Sequence, residues 1–249
     1  MNFRFREGTN DRLIFEEIFD RNVYKLPTAF STSDIIIDIG AHIGFFTYAV
    51  MQRGAQCVHA VEAETENYML AAEHLKEYID QERVFLIWGA VWRSDRSGEI
   101  LYHSGHSEQF DWQTGGTLVN TGGGSVTWQA RGEAIPVLPF DRLILQATEG
   151  GQKRIRLLKI DCEGSEWPIL LTSKTLHLVD EITGEFHEMG GEYDTLMPFC
   201  SIPGCEQFTV HELDRFFQKK NFDFSYSRPM QPDGLPSHLG MFTATHKRS

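Results

Sequence analysis

The first ninety residues alternate between two hydrophobic patterns, and this alternation constrains the fold more than any other feature of the chain. Short apolar runs that are polar mainly at their ends are typical of strands buried on both faces of a parallel sheet. Apolar residues spaced three and four positions apart are typical of amphipathic helices. Strand-type runs cover residues 34–39, 57–61 and 84–91, and helical patterns cover 45–53 and a stretch with Tyr68, Ala72, Leu75 and Ile79 on one face. This order predicts a right-handed, doubly wound α/β sheet.

The rest of the chain adds further elements to this sheet. Strand-type runs return at 156–160 and 181–187, a capping-box pattern that starts at Thr209 predicts a last helix, and 222–226 and 239–245 are predicted as two final strands. In the middle, 99–103, 126–130 and 135–138 alternate like half-exposed strands around a stretch rich in Gly, Ser and Thr. We therefore expect a single domain over 1–249, with an N-terminal helical segment in 1–33 and an antiparallel β insertion at about 98–138.

Charge and composition exclude some classes of function. The 23 basic and 35 acidic residues give a net charge of −12, which argues against a general nucleic-acid binder. We find no apolar run of the ~20 residues that a membrane span requires. Four cysteines in 249 residues are too few for a disulfide framework, so we expect a cytoplasmic protein.

A short loop with two glycines joins the first predicted strand to its helix. It reads DIGAHIG over residues 38–44, and Glu62 lies at the end of the second strand. Glycine lets the main chain approach a ligand closely, and the first N–H groups of a helix are free to bind it. An NAD-dependent dehydrogenase would have a third glycine in the pattern GxGxxG. The loop therefore favours a nucleoside ligand without a pyrophosphate, whose ribose hydroxyls donate to Glu62.

Several motifs resemble those of the FkbM-type branch of class I S-adenosylmethionine-dependent methyltransferases. They are DIGAHIG (38–44), VEA (61–63), WGAV (88–91), FDRL (140–143), LKIDCEGSE (158–166) and EFH (185–187). The resemblance implies a Rossmann-like fold with a seven-stranded, mostly parallel sheet, helices on both faces and an antiparallel last strand. It also implies methyl transfer to a hydroxyl, usually of a natural product or glycan. His42 stands where the family commonly has Asn, and Thr172 where Gly is common.

The same resemblance assigns residues to the S-adenosylmethionine site. Asp38 would orient the methionine ammonium through water, or else cap the loop. Glu62 would hold the ribose, Ala63 would border the adenosine, and Gly89 and Ala90 would leave room for the adenine. The full cofactor-binding set is Asp38, Gly40, Ala41, His42, Gly44, Phe45, Glu62, Ala63, Gly89, Ala90 and Asp161.

Candidate catalytic residues lie where the fourth and fifth strands end, which is the ligand-facing edge of an open parallel sheet. They are Asp161, Glu163, Glu185 and His187. His187 titrates nearest neutrality and is the expected general base, unless it only forms a hydrogen bond at the strand end. Glu163 has the alternative of accepting backbone N–H groups at its own turn. A less favoured alternative is a Mg²⁺ or Mn²⁺ site formed by Asp161, Glu185 and His187.

Three functions remain open at this stage. The first is O-methylation of a small natural-product or sugar-like molecule, without nucleic-acid or membrane partners and with a possible homodimer. The second is N-methylation of a peptide or amide, and the third is a methyltransferase-like binding module without chemistry. The loop 105–124 is either a lid over the acceptor or a solvated connection, and Trp112 and Trp128 are candidates to face the acceptor.

Overall fold

The structure is a computed structural model that describes residues 3–95, 101–103, 107–111, 116–127, 133–188, 202, 205, 207–231 and 234–247. Its main sheet consists of β1 (Ile35–Ile39), β2 (Cys57–Glu62), β3 (Val84–Trp88), β11 (Ile155–Ile160), β12 (Val179–His187), β13 (Phe222–Ser227) and β14 (Leu239–His246). The strand order is β13-β14-β12-β11-β1-β2-β3. β14 is antiparallel to both of its neighbours, and the other pairings are parallel. The predicted seven-stranded, mostly parallel sheet is confirmed.

Helices cover both faces of this sheet. They are α1 (Asp11–Phe19), α2 (Phe45–Gln52), α3 (Thr65–His74), α4 (Lys76–Asp80), α5 (Phe140–Ala147), α6 (Glu166–Leu171) and α7 (Val210–Lys219). β1 shows how the two faces are divided, because side chains alternate along a strand. Ile35, Ile37 and Ile39 pack with α5, α6 and α7, whereas Ile36 packs with α1, α2 and α3. None of the described helices is long and apolar enough to cross a membrane.

The smaller strands form the insertion. β4 (Ala90–Trp92) pairs in parallel with β10 (Val137–Pro139), and β5 (Leu101–His103) lies between β8 (Ser125–Thr127) and β9 (Glu133–Ala134). β6 (Ser107–Asp111) and β7 (Gly116–Asn120) form an antiparallel hairpin inside the stretch predicted as a loop. Trp112, Trp128 and part of the 105–124 loop lie outside the described residues.

Two predicted elements are divided in the structure. The third strand is predicted over 84–91, but it ends at Trp88 because Gly89 (φ +150°) redirects the chain towards Pro136, whose carbonyl accepts the N–H of Ala90. The helix predicted after β2 breaks at Leu75 into α3 and α4. Its buried face also differs from the predicted stripe, because α3 buries Asn67, Leu70, Ala71 and His74.

The last helix begins at Val210 as predicted, but its predicted capping box is wrong. The side chain of Thr209 makes no cap hydrogen bond. Instead, the N–H of Val210 donates to Oε1 of Glu188, just beyond the end of β12, over 2.8 Å. A carboxylate brought close by the tertiary fold satisfies a free helix N–H group and suits the positive end of the helix dipole.

Candidate active site

The loop between β1 and α2 is shaped by its neighbours as well as by its glycines. Gly40 has φ +77°, and a Cβ there would lie 1.9 Å from the carbonyl oxygen of Asp161. The N–H groups of Gly40 and Ala41 both donate to the carbonyl of Val61 over 3.0 Å. The loop is therefore held between β2 and the end of β11, with its backbone bare where it approaches the strand edge. Gly44 (φ +89°) serves packing, since a Cβ there would lie 2.9 Å from Leu75.

A buried ion pair supports the loop from below. Asp38 and Lys159 are register partners on the neighbouring strands β1 and β11, and Nζ lies 3.4 Å from Oδ1. The Lys159 ammonium also donates to the carbonyls of Ile39 and Gly40. Thr47 Oγ1 donates to the other oxygen of Asp38 over 2.7 Å. These contacts fix the loop carbonyls and fully bury Asp38.

Glu62 closes the other side of the loop. Its Oε2 accepts the N–H of His42 over 2.7 Å, and its Oε1 accepts the N–H of Glu64 over 2.9 Å. Burial raises the pKa of Glu62 to about 7, although these hydrogen bonds act in the opposite direction. The carboxyl group is therefore rigidly placed at the end of β2, where the sequence predicts a contact with ribose.

A cavity of about 600 Å³ opens above the loop, which is within the usual size range of small-molecule sites. Its lining includes nine predicted cofactor residues, namely Gly40, Ala41, His42, Phe45, Glu62, Ala63, Gly89, Ala90 and Asp161. It also includes all four predicted catalytic residues, Asp161, Glu163, Glu185 and His187. The structure thus brings the two sets to one cavity. Of the predicted residues, Asp38 and Gly44 lie outside this lining.

The catalytic candidates form a crowded acidic cluster around one imidazole. His187 Nε2 lies 3.3 Å from Glu163, and Nδ1 lies 3.4 Å from Glu166. Burial alone would lower the pKa of His187, but the carboxylates of Glu166, Glu163 and Asp161 outweigh it and raise the pKa to about 10. At neutral pH the imidazole is therefore protonated, which disfavours a base role in this arrangement.

Glu185 and Glu163 have pKa values closer to neutrality than that of His187. Burial and the nearby carboxylate of Asp161 raise the pKa of Glu185 to about 8. Burial also raises the pKa of Glu163 to about 7, although His187 lowers it. Carboxyl groups that titrate near neutrality are suited to general-base work.

Glu166 and Tyr24 hold this cluster in place. The two oxygens of Glu166 accept the N–H groups of Cys162 and Gly164, over 2.8 and 2.9 Å. Tyr24, from the N-terminal segment, donates its hydroxyl to Oδ2 of Asp161 over 2.6 Å. Asp161, Glu166 and His187 each offer a ligand atom within 4.8 Å of the others. The sequence analysis suggests Asp161, Glu185 and His187 as a less favoured metal site. In the described part of the structure, the three residues close enough to share an ion are instead Asp161, Glu166 and His187.

Two segments far apart in the chain meet over the glycine loop and form what we call the roof of the cavity, made of Arg6, Asn10, Asp11, Val119 and Thr121. Asn10 donates its N–H to the carbonyl of Val119 over 3.0 Å. Asp11 is fully buried and takes two hydrogen bonds from the Arg6 guanidinium, of 2.8 and 3.0 Å. Thr121 connects the roof to the glycine loop, since its hydroxyl lies 2.9 Å from Nε2 of His42.

Sequence reasoning misses most of these supporting residues. Asn10 and Asp11 lie in the N-terminal segment that is predicted only as helical, and Thr121 lies in a stretch predicted as a loop. Lys159 has a usable signal, because a charged residue inside an otherwise apolar strand requires a buried partner. Tyr24 has none, since only the tertiary fold brings it to Asp161.

A family model described as the methyltransferase FkbM domain matches residues 38–224. The chain belongs to this family. The protein is therefore an S-adenosylmethionine-dependent methyltransferase, and the cavity that joins the loop to the acidic cluster is its candidate active site. A search of the curated proteins returned no match.

Among solved structures, the chain is similar to several methyltransferases at low identity. An rRNA methylase from Streptococcus thermophilus is 10% identical, with 88% of this chain and 90% of that chain covered and a TM-score of 0.47. The FkbM methyltransferase from Methylobacillus flagellatus is 12% identical, with 93% and 48% covered and a TM-score of 0.47. M. capricolum TrmK in complex with S-adenosyl-homocysteine is 11% identical, with 92% and 67% covered and a TM-score of 0.45.

Proposed function

We propose that this FkbM-family enzyme transfers the methyl group of S-adenosylmethionine to a hydroxyl of a small natural-product or sugar-like molecule. One observation carries the proposal: a single cavity is lined both by the glycine loop with Glu62 and by a cluster of titratable carboxyl groups. Methyl transfer to a hydroxyl needs alignment of two reactants and removal of a proton, and these two sets of residues supply the groups for both.

The residues on the cofactor side fit an adenosyl ligand. The backbone of Gly40 approaches the cavity where a side chain would not fit. Nδ1 of His42 and Oδ1 of Asn67 are buried without a hydrogen-bond partner among the described residues. With the carboxyl group of Glu62, these two atoms give this part of the cavity polar groups for the hydroxyl and amino groups of the ligand.

The electrophile is supplied by the sulfonium methyl of S-adenosylmethionine when the cofactor is bound. The protein's own residues then have to hold the acceptor and take its proton. Glu185 is our preferred proton acceptor, because it lines the cavity and its pKa of about 8 lies near the working range. His187, bracketed by Glu163 and Glu166, would stabilise the negative charge that develops on the acceptor oxygen.

The proposal is tested by the fate of a labelled methyl group. S-adenosylmethionine carrying a ¹³C methyl is incubated with the enzyme and a panel of phenols, sugars and amino alcohols, and the products are examined by ¹³C NMR. We expect an O-methyl signal that is lost in Glu185→Gln, whereas calorimetry still detects cofactor binding in that variant. An N-methyl signal would instead support the alternative N-methyltransferase. Cofactor binding without transfer to any compound, including peptides, would favour a binding module.

A further inference from the structure

We propose that the buried Asp38–Lys159 pair sets the discrimination between the charged cofactor and its uncharged product, because the pair itself contributes no net charge beneath the cofactor loop. This inference rests on the cavity being the S-adenosylmethionine site. It adds a specificity role for two side chains, one of which lies outside the cavity lining.

The geometry leaves the Lys159 ammonium little freedom. It donates to the carbonyls of Ile39 and Gly40 and forms an ion pair with Oδ1 of Asp38 over 3.4 Å, an oxygen that accepts no hydrogen bond from the described residues. Only 4% of the Lys159 side chain and none of the Asp38 side chain is exposed. The ammonium also lies 5.6 Å from the ring centre of Tyr24 and 6.0 Å from that of Phe46.

The pair is charged within a nonaqueous environment. Burial alone would lower the pKa of Lys159, but the carboxylates of Asp38 and Asp161 outweigh it and raise the pKa above its ordinary value. Lys159 therefore keeps its proton. A buried ion pair of this kind is weak evidence for stability, since removing two charges from water is costly. Because burial of the pair is costly, we attribute the presence of the pair to function and not to stability.

The described lining of the cavity contains two other cationic side chains, and both are also paired. His187 lies between Glu163 and Glu166, and Arg228 forms two hydrogen bonds with Glu188, of 2.8 and 3.1 Å. The cationic lining residues are thus neutralised locally, which avoids repulsion of a cationic ligand. Lys159 is the one of the three that also holds the glycine loop.

Methyl transfer changes the ligand by one positive charge, because a sulfonium becomes a thioether. An uncompensated charge beneath the loop would therefore change the affinity for the cofactor, which carries the sulfonium charge, more than the affinity for the thioether product. Loss of the Lys159 charge would leave the Asp38 carboxylate to attract the cofactor more. Loss of the Asp38 charge would leave the Lys159 ammonium to repel it. Two unit charges about 10 Å apart at an effective dielectric constant near 20 interact strongly enough to change an affinity about tenfold, and this sets the size of the effect that we expect.

The test measures affinities for S-adenosylmethionine and S-adenosylhomocysteine by titration calorimetry at pH 8. We expect Lys159→Met to raise the cofactor-to-product affinity ratio about tenfold and Asp38→Asn to lower it about tenfold. The double variant should return the ratio to the wild-type value. Lys159→Arg keeps the charge and should keep the ratio, even where both affinities fall. Thr47→Val is the matched control, because it removes an uncharged donor from Asp38 without changing any charge and should change both affinities by the same factor.

The two single variants must move the ratio in opposite directions. If both weaken the two ligands in proportion, the pair only supports the loop and the inference is overturned. If Lys159→Met does not fold, Asp38→Asn, which is nearly isosteric, and the double variant still decide the question. A wild-type protein that binds neither ligand would instead refute the cofactor assignment on which the inference rests.

Discussion

Adding a single methyl group at Gly40 tests the central geometric claim about the cofactor loop. A Cβ at this position would lie 1.9 Å from the carbonyl oxygen of Asp161, and Cβ contacts under 3.0 Å are essentially never seen. The two atoms must therefore separate by about 1.1 Å. Neither atom belongs to a flexible side chain, so the loop or the end of β11 has to move.

The expected effect of Gly40→Ala has two parts. Its φ of +77° costs an alanine about 1–2 kcal/mol of stability in any environment. The displacement adds a second loss, because a misplacement of about 1 Å at an active site can reduce activity by about 10²-fold. We expect cofactor affinity and kcat/KM to fall together by about that factor.

Gly150 provides the matched control, since it has nearly the same backbone conformation (φ +74°) and a Cβ added there would meet nothing within 4 Å. Gly150→Ala should show the same conformational loss in urea unfolding but normal calorimetric affinity for S-adenosylmethionine. If Gly40→Ala binds the cofactor as tightly as Gly150→Ala does, the loop does not approach the ligand in the way described, and the reasoning is refuted.

Three further predictions concern proton transfer, the roof and the last helix. The base must be deprotonated, so the turnover of the wild-type enzyme should rise with pH through about pH 8. In Glu185→Gln this rise should be lost and kcat should fall about 10²–10⁴-fold. A rise near pH 10 that His187→Gln abolishes would return the base role to His187. Asp11→Asn should lower the free energy of unfolding by about 3 kcal/mol in urea titrations at pH 7. This difference between the variant and the wild type should disappear in acid, because the pKa of Asp11 is lowered in the folded protein. An unchanged urea midpoint at pH 7 would contradict the roof contacts. In thermal unfolding, Thr209→Ala should change the free energy of unfolding by under about 0.5 kcal/mol, whereas Glu188→Gln should lower it by about 1 kcal/mol. A larger loss in Thr209→Ala than in Glu188→Gln would restore the predicted capping box.

The acid dependence of the roof follows from the sign of the pKa shift. Burial alone would raise the pKa of Asp11, but the hydrogen bonds and the charge of Arg6 outweigh it and lower the pKa below 3.8. The stabilisation is therefore present above the ordinary pKa of an aspartate. It is lost as the pH falls through the lower value of the folded state.

The candidate site was predictable wherever the chemistry lies within one short segment. The loop around Gly40, the acid at Glu62 and the groups after β11 each follow a strand end, and parallel strands bring their ends to a common edge. Their common cavity is thus a consequence of topology. The protonation states were not predictable, because the pKa of His187 depends on two glutamates that the turn after β11 places around it.

Sequence by itself determined the doubly wound sheet, since short buried runs and amphipathic segments alternate and each pattern suits one kind of backbone. It also determined the position of the glycine loop. Only the tertiary structure decided which distant side chains meet there: Lys159 under the loop, Tyr24 against Asp161, and Asp11 with Thr121 in the roof. Such contacts join residues more than one hundred positions apart, and hydrophobic periodicity records which face is buried but not which polar partner lies inside.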